Sequence, residues 1–527
     1  MWTRPLWAHL LDVGHVAWLL WERVVPDGFR RRAAAALGMT DEQAGGWLSF
    51  WIGLHDLGKA IPSFQFQDEH APYLERMREQ GFTLRPPAGM PEKGPHHGHA
   101  TIAILYRELT RSAEADGLPS FKESLAAFVG FHHGRLLDLE QWRKLVSEET
   151  TLGGEDWKRA QRALLHAVHT AWAGRYGLAT PAPDLERVPD WLLGLAGWAT
   201  LADWLGSIAA AFSREVGTDP AAYLDASRAG AEEALRRVGF DAPAALVARP
   251  FAELFPELAD HDPRPVQQAL IDLELPDDPD APTLVIVEAP TGEGKTEGAL
   301  ALAVRQQDRR GRDRDGDASR GGGFYLALPT QATANGLLKR ATDFLAQAHR
   351  GPVASFRLAY GRAELHPDAA ALVDDAVDEP DDLTALYDED DGSSAARVRT
   401  LRWFLGRKRA LLAPYGVGTI DQALLGVLYA RHFFLRLFGL AGKTVVVDEV
   451  HAYDVYMGEL IHRLLPWLRA LGAHVVLLSA TLPARSRRAL LSAWDSGTPL
   501  PEEPAPEALG YPAVWTSAEG KVRCQAG

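Results

Sequence analysis

Apolar residues recur at helical spacing through the first half of the chain. Examples are the segments Leu6 to Val25, Thr101 to Leu109 and Trp157 to Tyr176. Apolar residues that repeat every three to four positions line one face of a helix, and no Val/Ile-rich run typical of a strand stands out among them. The pattern therefore predicts an all-helical domain over residues 1–245.

The pattern changes near residue 250, where short runs of apolar, largely β-branched residues begin to alternate with helical stretches. Four runs are predicted to be strands: Leu284 to Glu288, Phe324 to Leu328, Thr444 to Val447 and His474 to Leu478. Strands separated by helices are typical of a parallel sheet with helices on both faces. We therefore predict a second, α/β domain over residues 263–505.

Segments with few structure signals flank and interrupt this α/β domain. The proline-rich stretch 246–262 is predicted to be a linker, and residues 506–527 a tail or a junction to a further domain. Two charged insertions, Gln306 to Gly323 and Val373 to Ser394, are expected to be solvated loops, the first of them mobile.

Composition excludes several classes of protein. Hydrophobic residues make up 46% of the 527 residues and charged residues 24%, which excludes a long disordered chain. The single cysteine, Cys524, excludes a disulfide framework and a cysteine-based zinc site, and it favours a reducing, cytoplasmic compartment. The most apolar stretch, Ala423 to Leu440, contains Arg431, His432 and Arg436, so no membrane span is expected. The first five residues, MWTRP, lack the basic region and unbroken apolar run of a signal peptide, so none is expected. The net charge of −15 argues against broad coating of nucleic acid but allows a basic groove.

A strand, a glycine-rich loop and the start of a helix follow one another between Leu284 and Thr296. The loop resembles a P-loop, with alanine in place of the first glycine, and its residues predicted to bind ATP are Pro290, Thr291, Gly292, Glu293, Gly294, Lys295 and Thr296. Backbone N–H groups of such a loop surround phosphates, and the helix N-terminus adds partial positive charge. Lys295 is expected to reach the β and γ phosphates, and the Thr296 hydroxyl to bind Mg²⁺.

Two acidic residues end another predicted strand. Asp448 and Glu449 follow Thr444 to Val447 directly. At a strand end beside a P-loop, the first acid suits Mg²⁺ binding and the second suits orientation of the attacking water, although an ordinary solvated strand end is the alternative. The sequence Ser479-Ala480-Thr481 ends the following strand and strengthens the interpretation as an ATP-driven motor.

The helical half contains a set of histidines and acids that suit a metal centre. The set comprises His9, the pair His55-Asp56, the cluster His96 to His99, the pair His132-His133, and Asp203. Taken singly, each could be an ordinary surface or buried residue. Together they exceed the needs of one ion and suggest two divalent ions about 3.5–4 Å apart that share one carboxylate.

These motifs resemble a known family. His55-Asp56 within LHDLGK resembles the HD phosphohydrolase superfamily, and an HD domain in front of a superfamily 2 motor resembles the CRISPR-associated helicase-nuclease of type I systems. The segments that carry the resemblance are HLLD with His9, HDLGKA at 55–60, HHGHAT with His97, HH at 132–133 and LADWLGS around Asp203, followed by PRPVQ at 263–267, APTGEGKT, LPTQATAN at 328–335, VGTIDQALL at 417–425, DEVHAYDVYM at 448–457 and SATLP at 479–483.

The resemblance implies an HD-type nuclease for single-stranded DNA. One metal ion would be held by His9, His55, Asp56 and Asp203, and the other by Asp56, His97, His132 and His133. His97 fits the spacing to Thr101, while His96 and His99 remain alternatives. Asp56 and Lys59 would be catalytic, with Lys59 binding phosphate or transferring a proton. The sequence leaves Mn, Fe, Co, Ni and Mg open as the metal.

The resemblance also implies that the α/β domain is the first RecA-like domain of a helicase that binds ATP with Mg²⁺. Gln267 would recognise adenine, Glu449 would be catalytic, the segments with Thr330, Gln331, Thr333, Thr419 and Gln422 would contact DNA, and Ser479 and Thr481 would couple the two ligands. The partners would be single-stranded DNA and a crRNA-guided, Cascade-type surveillance complex of antiviral defence.

The family pattern continues with a second RecA-like domain and a C-terminal domain. This sequence ends about 45 residues after Thr481, too few for another domain of usual size, so a fragment or a separately encoded remainder is expected. Two other functions remain open: an HD phosphohydrolase for small nucleotides, and a catalytically idle module that binds ATP or a partner.

Overall fold

The structure is a computed structural model, and it describes residues 4–65, 95–111, 119–134, 152–178, 191–213, 215–240, 246–312, 322–349, 354–359, 398–399, 409–428, 430–495 and 511–526. The chain divides into two compact units. The first comprises Met1–Glu22 and Arg30–Arg236, and the second Arg23–Phe29 and Arg237–Gly527. The main division therefore falls close to the predicted boundary at residue 245.

The first unit contains only helices and turns in its described ranges, as predicted. Its helices are α1 (Leu6–Arg23), α2 (Asp27–Leu37), α3 (Asp41–Gly53), α4 (Pro62–Gln65), α5 (His97–Arg111), α6 (Pro119–Gly130), α7 (Gly154–Tyr176), α8 (Leu192–Gly206) and α9 (Pro220–Arg237). Two 3-10 turns, Leu54–Lys59 and Phe131–His133, follow α3 and α6 directly.

The core of this unit is built around α1 and α8, which are apolar on nearly all sides. Trp21 of α1 stacks on Trp198 of α8 with ring centroids 5.4 Å apart. Gly206 lets the two backbones approach, because a Cβ there would lie 2.4 Å from the side chain of Val13. The close packing holds α1 and α8, which carry His9 and Asp203, in a fixed relation to each other.

A buried polar network ties α1 to α7 and α9. Asp12 accepts hydrogen bonds from Ser227 Oγ at 2.7 Å and from Tyr223 at 3.1 Å. His15 contacts Ser227 Oγ at 2.8 Å and Tyr176 Oη at 2.7 Å. Because burial lowers the pKa of His15 to about 3, this imidazole is neutral and serves the network.

The second unit is organised on one sheet. In the described residues its strands are β1 (Leu284–Glu288), β2 (Phe324–Leu328), β3 (Ala354–Ala359), β4 (Val398–Arg399), β5 (Tyr415–Thr419), β6 (Thr444–Val447), β7 (His474–Ser479), β8 (Ala513–Ala518) and β9 (Lys521–Ala526). Their order is β4-β3-β5-β2-β6-β7-β1-β8-β9. Strands β1 to β7 pair in parallel, which confirms the predicted parallel sheet, and β8 and β9 add an antiparallel edge.

Helices pack against this sheet. They are α10 (Phe251–Leu254), α11 (Pro265–Ile271), α12 (Lys295–Arg312), α13 (Gln331–Ala348), α14 (Ile420–Leu424), α15 (Phe433–Leu440), α16 (Val455–Ala470) and α17 (Ala484–Trp494). Strands β1, β2, β5, β6 and β7 are buried at every position, as expected for parallel strands covered on both faces. Among the described helices, none combines the length and apolarity needed to span a membrane.

The predicted linker at 246–262 is wrong as a structural description. Pro250 caps α10, and Pro256 starts a 3-10 turn, Pro256–Leu258. Leu254 and Phe255 are buried, and Phe255 stacks on Phe344 with ring centroids 5.3 Å apart. Proline suits the first positions of a helix, where no backbone N–H is needed, so the prolines here begin short helices.

Residues 506–527 were predicted to be a tail or a junction, and their described part, Tyr511 to Ala526, forms a β-hairpin. Strand β8 pairs with β1, and β9 pairs with β8 through a two-residue turn at Glu519 and Gly520. Both turn residues have positive φ, at 47° and 71°, which is the backbone of a type I′ hairpin turn. The hairpin closes the edge of the sheet beside the strand that leads into the glycine-rich loop.

The first predicted insertion begins later than expected. Helix α12 continues to Arg312, and Gln306 and Gln307 are buried on it. Gln306 donates to Thr283 Oγ1 at 3.0 Å, and Gln307 donates to the carbonyl of Gly442 at 3.2 Å. These bonds hold the polar segment inside the unit. Residues 313–321 and the acidic insertion 373–394 lie outside the described residues.

A buried ion pair joins β1 to the hairpin and to α17. Glu288, the last residue of β1, accepts a hydrogen bond from Arg487 at 2.5 Å and another from the backbone N–H of Leu482 at 3.1 Å. The Arg487 guanidinium lies over the Trp515 ring of β8, 4.4 Å from its centroid. Breaking such a buried pair leaves an uncompensated charge in the interior.

We expect Arg487→Met to lower the local free energy of opening of β1 and β8 by about 3–5 kcal/mol, the usual cost of a buried charge without its partner. Hydrogen exchange measured by mass spectrometry on peptides from these strands would show it. The double variant Arg487→Met/Glu288→Gln should recover most of the loss, because a neutral glutamine can still accept from Leu482.

The exposed pair Arg469–Asp495, with its atoms 2.9 Å apart, is the matched control. Arg469→Met should cost less than about 1 kcal/mol, as exposed ion pairs do. A double variant as unstable as Arg487→Met alone would contradict the charge-based explanation.

Candidate functional site

The seven predicted metal-ligating side chains of the helical unit come together at one place. His9 lies on α1, His55 and Asp56 lie on the turn Leu54–Lys59, His97 begins α5, His132 and His133 lie on the turn Phe131–His133, and Asp203 lies on α8. His55, Asp56 and His132 are buried, while the other four are half-buried. The site therefore has a buried side and an accessible side.

These side chains form two groups that share one carboxylate. His9, His55, Asp56 and Asp203 form the first group, and Asp56, His97, His132 and His133 form the second. Within each group the potential ligand atoms all lie within 4.8 Å of one another. The division is the one that the family resemblance implied.

Asp56 faces the two groups with different oxygens. Its Oδ2 lies 3.2 Å from His9 Nε2 and 3.4 Å from His55 Nε2, whereas its Oδ1 lies 3.3 Å from His97 Nε2 and 3.6 Å from His132 Nε2. Burial alone raises the pKa of this carboxyl, but the surrounding imidazoles outweigh it and hold the pKa well below the usual range. Asp56 is therefore an ionised carboxylate with the orientation of a bridging ligand.

The environment of His55 requires a positive charge. Its Nδ1 donates to the carbonyl of Gly53 at 3.4 Å, so its Nε2 faces two carboxylates, Asp56 at 3.4 Å and Asp203 at 3.2 Å. Burial lowers the pKa of His55, but the two carboxylates outweigh burial and raise it to about 10. A divalent cation can replace the proton that this arrangement otherwise demands.

The second group also brings together ring nitrogens that a divalent cation can bind. His97 Nε2 and His133 Nε2 lie 2.6 Å apart. Burial lowers the pKa of His97 to about 3 and that of His133 to about 2, so both rings are neutral, the form that binds metals. His132 donates from Nδ1 to the carbonyl of Val129 at 3.2 Å, and its buried Nε2 has no hydrogen-bond partner among the described residues. The donor set therefore fits two divalent ions.

The three clustered histidines take different places in the structure. His97 lies in the second group, whereas His96 and His99 lie in neither group. The His96 ring stacks on His97 at 4.3 Å, and its Nδ1 accepts the backbone N–H of Gly98 at 3.2 Å, so it caps the start of α5. The turn of His132 and His133 ends at Gly134, whose φ of 75° stops the helix where the sequence predicted.

Lys59 lies one turn after Asp56. Its ammonium contacts Asp56 Oδ2, and its side chain is 28% exposed. The ammonium also lies 5.8 Å from the centroid of the Phe64 ring. Lys59 therefore places a cation at the accessible side of the shared carboxylate.

The second unit forms the predicted phosphate loop between β1 and the start of α12 at Lys295. Gly292 and Gly294 have φ values of 87° and 74°, which favour glycine. Lys295 is 6% exposed and donates to the carbonyls of Ala289 at 2.7 Å and Pro290 at 3.1 Å. The lysine thus closes the loop on itself.

A cavity of about 340 Å³ opens beside this loop. Of the residues predicted to bind ATP, it is lined by Gln267, Thr291, Gly292, Gly294, Lys295, Thr296, Asp448 and Glu449, but not by Pro290 or Glu293. Phe251, His261, Arg264 and Arg340 also line it, and sequence analysis missed them. Phe251 and His261 were not predicted to line the cavity because they lie in the segment interpreted as a linker.

The acidic pair and the Ser-Ala-Thr segment are joined by a histidine that sequence analysis did not select. His451 Nε2 lies 3.3 Å from Glu449 Oε2, and its Nδ1 lies 3.2 Å from Ser479 Oγ and accepts the N–H of Ala480 at 3.3 Å. Its place inside the DEVH segment was the available signal. Burial raises the pKa of Asp448, while the hydrogen bond from the backbone N–H of Glu449 opposes this rise and the Glu449 carboxylate supports it.

Ser479 is also linked to the phosphate loop, because its carbonyl accepts the N–H of Ala289 at 3.1 Å. Its hydroxyl donates to the carbonyl of Thr481 at 2.8 Å. Ser479 and Thr481 thus lie between the acidic pair and the loop, where a coupling role was predicted.

The residues expected to contact DNA follow the carboxyl ends of two neighbouring strands. Thr330, Gln331 and Thr333 follow β2 and are exposed, and Thr330 caps α13. Thr419 ends β5 and is buried at 5% exposure, and Gln422 on α14 is half-buried. The side chain of Thr419 is therefore the least accessible of the five.

Comparison with known proteins follows this division of the chain. Residues 2–212 match the family model described as the HD domain of Cas3. The chain is 39% identical to the CRISPR-associated endonuclease/helicase Cas3 of Thermus thermophilus, over 98% of this chain and 52% of that protein.

Two solved structures resemble nearly the whole chain. The crystal structure of T. fusca Cas3-ATP matches with a TM-score of 0.74 and 32% identity, covering 99% of this chain and 54% of that one. A chain in a CRISPR RNA-guided surveillance complex, pre-nicking, matches with a TM-score of 0.63 and 30% identity, covering 99% and 52%. The chain thus spans about half the length of these relatives, and it is similar to Cas3 proteins over their HD domain and the N-terminal part of the helicase.

Proposed function

We propose that the helical unit cleaves single-stranded DNA at two divalent metal ions and that the α/β unit is the ATP-binding half of a DNA helicase motor. In this proposal the chain acts in the cytoplasm, in antiviral defence, after recruitment by a crRNA-guided, Cascade-type surveillance complex. The observation that carries the nuclease function is the orientation of Asp56, whose two oxygens face two separate groups of ligands.

The two groups would each hold one ion. His9, His55, Asp56 and Asp203 would hold the first, and Asp56, His97, His132 and His133 the second. Two such ions activate a water and neutralise the charge that develops on a phosphodiester. Imidazole-rich sites suit Mn, Fe, Co or Ni better than Mg.

The protein's own residues would orient the ligands and the substrate. His55 and His132 donate from Nδ1 to backbone carbonyls, which holds Nε2 of each ring towards Asp56. Lys59, partly exposed beside Asp56, would bind a phosphate oxygen or hold a proton near the leaving oxygen.

The second unit would bind ATP with Mg²⁺ in its cavity. Lys295 would exchange its bonds to Ala289 and Pro290 for phosphate oxygens, Thr296 and Asp448 would hold Mg²⁺, and Glu449 would orient water. Gln267 would recognise adenine. The Cas3-ATP structure of the T. fusca relative supports this assignment.

DNA contacts and partners complete the proposal. The exposed Thr330, Gln331 and Thr333, with Gln422 and the backbone near Thr419, would contact the DNA, and Ser479 and Thr481 would relay the nucleotide state. A surveillance complex contains one of the similar chains, which supports that partner here. Further helicase domains, in the same protein or encoded separately, would complete the motor.

The alternative of a phosphohydrolase for small nucleotides is separated by substrate. Circular single-stranded DNA should be cut when Mn²⁺ is added and ATP is absent. A circle is the substrate because it has no ends, so its cleavage reports attack within the strand. Release of phosphate from free nucleotides with intact circles would favour the alternative. Neither activity in the Mn²⁺-loaded protein would favour an idle binding module.

Asp56→Ala should lose both ions and slow the cleavage of circular single-stranded DNA by more than about 10²-fold, because loss of a group that only supports metal ligands already costs about 10–100-fold. Metal content by plasma mass spectrometry and gel analysis of the circles would measure both effects. His99→Ala, in the same histidine cluster but outside both groups, is the control and should retain two ions and full activity. Cleavage by Asp56→Ala at the wild-type rate after metal removal and reloading would contradict the two-metal assignment.

Lys295→Ala should weaken ATP binding at least about tenfold, a loss of about 1.4 kcal/mol, because the ammonium would contact the phosphates. Fluorescent nucleotide titration with Mg²⁺ would measure the change. ATP-independent cleavage of DNA should remain unchanged, since Lys295 belongs to the other unit.

The control for this variant is Lys339→Ala, which removes an exposed lysine that pairs with Asp343 on the same unit. It should bind nucleotide as the wild type does. Unaltered nucleotide affinity in Lys295→Ala would show that the loop is not the phosphate site.

A further inference from the structure

Thr101 connects two of the elements that carry the candidate metal ligands. It lies one turn after His97 on α5, and its side chain is fully buried. Its hydroxyl donates to the carbonyl of His55 at 2.7 Å and accepts the backbone N–H of Gly58 at 2.8 Å. Both hydrogen-bonding functions of the hydroxyl therefore hold the turn Leu54–Lys59 against α5.

The two backbones meet without a side chain between them. A Cβ at Gly58 would lie 1.9 Å from the carbonyl oxygen of His97 and 2.5 Å from the backbone nitrogen of Thr101. The turn therefore lies directly on the first turn of α5. The Thr101 hydroxyl contributes two hydrogen bonds to this contact.

A change at this contact would alter the geometry of one group of ligands more than that of the other. The first group comes from α1, the turn Leu54–Lys59 and α8, whereas the second takes His97 from α5. A shift of α5 against the turn would change the 3.3 Å separation of His97 Nε2 from Asp56 Oδ1. It would leave the 3.2 Å separation of His9 Nε2 from Asp56 Oδ2 in place.

The turn itself has other anchors. It continues directly from α3, the N–H of Leu54 donates to carbonyls of α3, and Leu54 and Leu57 are fully buried. Loss of the Thr101 hydroxyl would therefore displace the start of α5 more than the turn.

We propose that Thr101 is a positioning residue that sets the geometry of the second metal group, Asp56, His97, His132 and His133, relative to the first. The inference rests on the proposed two-ion function. Groups that orient metal ligands through hydrogen bonds commonly contribute about 10–100-fold to metal affinity. Thr101 acts here through the backbone that carries the ligands.

The test is a titration of the full chain with Mn²⁺. Calorimetry and electron paramagnetic resonance of free Mn²⁺ measure the binding. The wild type should bind two ions. Thr101→Val, which keeps the volume and removes the hydroxyl, should bind one ion with nearly wild-type affinity and the second about 10–100-fold more weakly. Thr101→Ser should restore the second affinity, because it restores the hydroxyl.

Cleavage of circular single-stranded DNA supplies a second readout. For Thr101→Val, the Mn²⁺ concentration that gives half-maximal rate should rise by the same factor, while the rate at saturating Mn²⁺ should approach that of the wild type. A merely destabilised domain would instead show a lower rate at every Mn²⁺ concentration, including saturating Mn²⁺.

Ser227→Ala is the matched control. Ser227 is also a fully buried hydroxyl with two partners in the helical unit, Asp12 at 2.7 Å and His15 at 2.8 Å, but it touches no candidate ligand. This variant should lower the unfolding temperature and leave both Mn²⁺ affinities unchanged. Weakened Mn²⁺ binding in Ser227→Ala would show that any buried hydroxyl has this effect, and would overturn the inference.

Wild-type affinity for both ions in Thr101→Val, or equal weakening of both, would overturn the role of Thr101. If Thr101→Val does not fold, Thr101→Cys keeps a similar volume with a weaker donor and should weaken the second ion by an intermediate factor. Two wild-type affinities in Thr101→Cys would then overturn the inference. Fewer than two ions in the wild type would instead overturn the proposed two-ion function itself.

Discussion

The helical unit depends on one constraint, the burial of an ionised carboxylate. Asp56 is 1% exposed, and an isolated charge at such a depth is strongly unfavourable. Four imidazoles and one ammonium approach its two oxygens, and their attraction outweighs the effect of burial. This arrangement requires α1, α5 and the two 3-10 turns to meet at Asp56. The packing of the unit and the geometry of the site therefore depend on each other.

The adjacent ligands at the site lie on turns at the ends of helices. On an α-helix, neighbouring side chains diverge by about 100°. His55 and Asp56, and likewise His132 and His133, lie on 3-10 turns that follow a helix directly. A 3-10 turn, with about 3.0 residues per turn, separates adjacent side chains even further, so the winding of the turn does not explain the convergence. Both turns instead stand at the end of a helix, and in the second case the αL residue Gly134 ends the turn directly after His133.

Much of the architecture was predictable from the sequence, and the failures have physical causes. The parallel strands were recognisable because burial on both faces demands unbroken apolar runs, as in Leu284 to Glu288. The ligand set was recognisable because histidine and aspartate are costly inside apolar helices, as Asp203 on α8 illustrates. The linker and the tail were missed because proline was interpreted as a breaker, whereas Pro250 and Pro256 begin helices, and because a hairpin on β1 depends on a long-range partner, Trp515 against Arg487. The spacing to Thr101 already favoured His97, but His96 and His99 stayed open because the approach of α5 to the turn, which places His97 in the second group, depends on long-range packing.

The two sites differ in how positive charge is supplied to their buried polar groups. In the metal centre, ligands with buried lone pairs converge and leave a deficit of positive charge, which only a proton or a cation can fill. In the phosphate loop, the positive charge is already present: Lys295 is buried and satisfied by the carbonyls of Ala289 and Pro290. An anion that enters the loop must compete with those two carbonyls, so the bonds that Lys295 makes within the loop also subtract from the affinity for nucleotide. The candidate metal centre would gain stability on binding ions, whereas the loop would exchange one set of bonds for another. This exchange would suit the proposed motor, in which the site releases its ligand in every cycle.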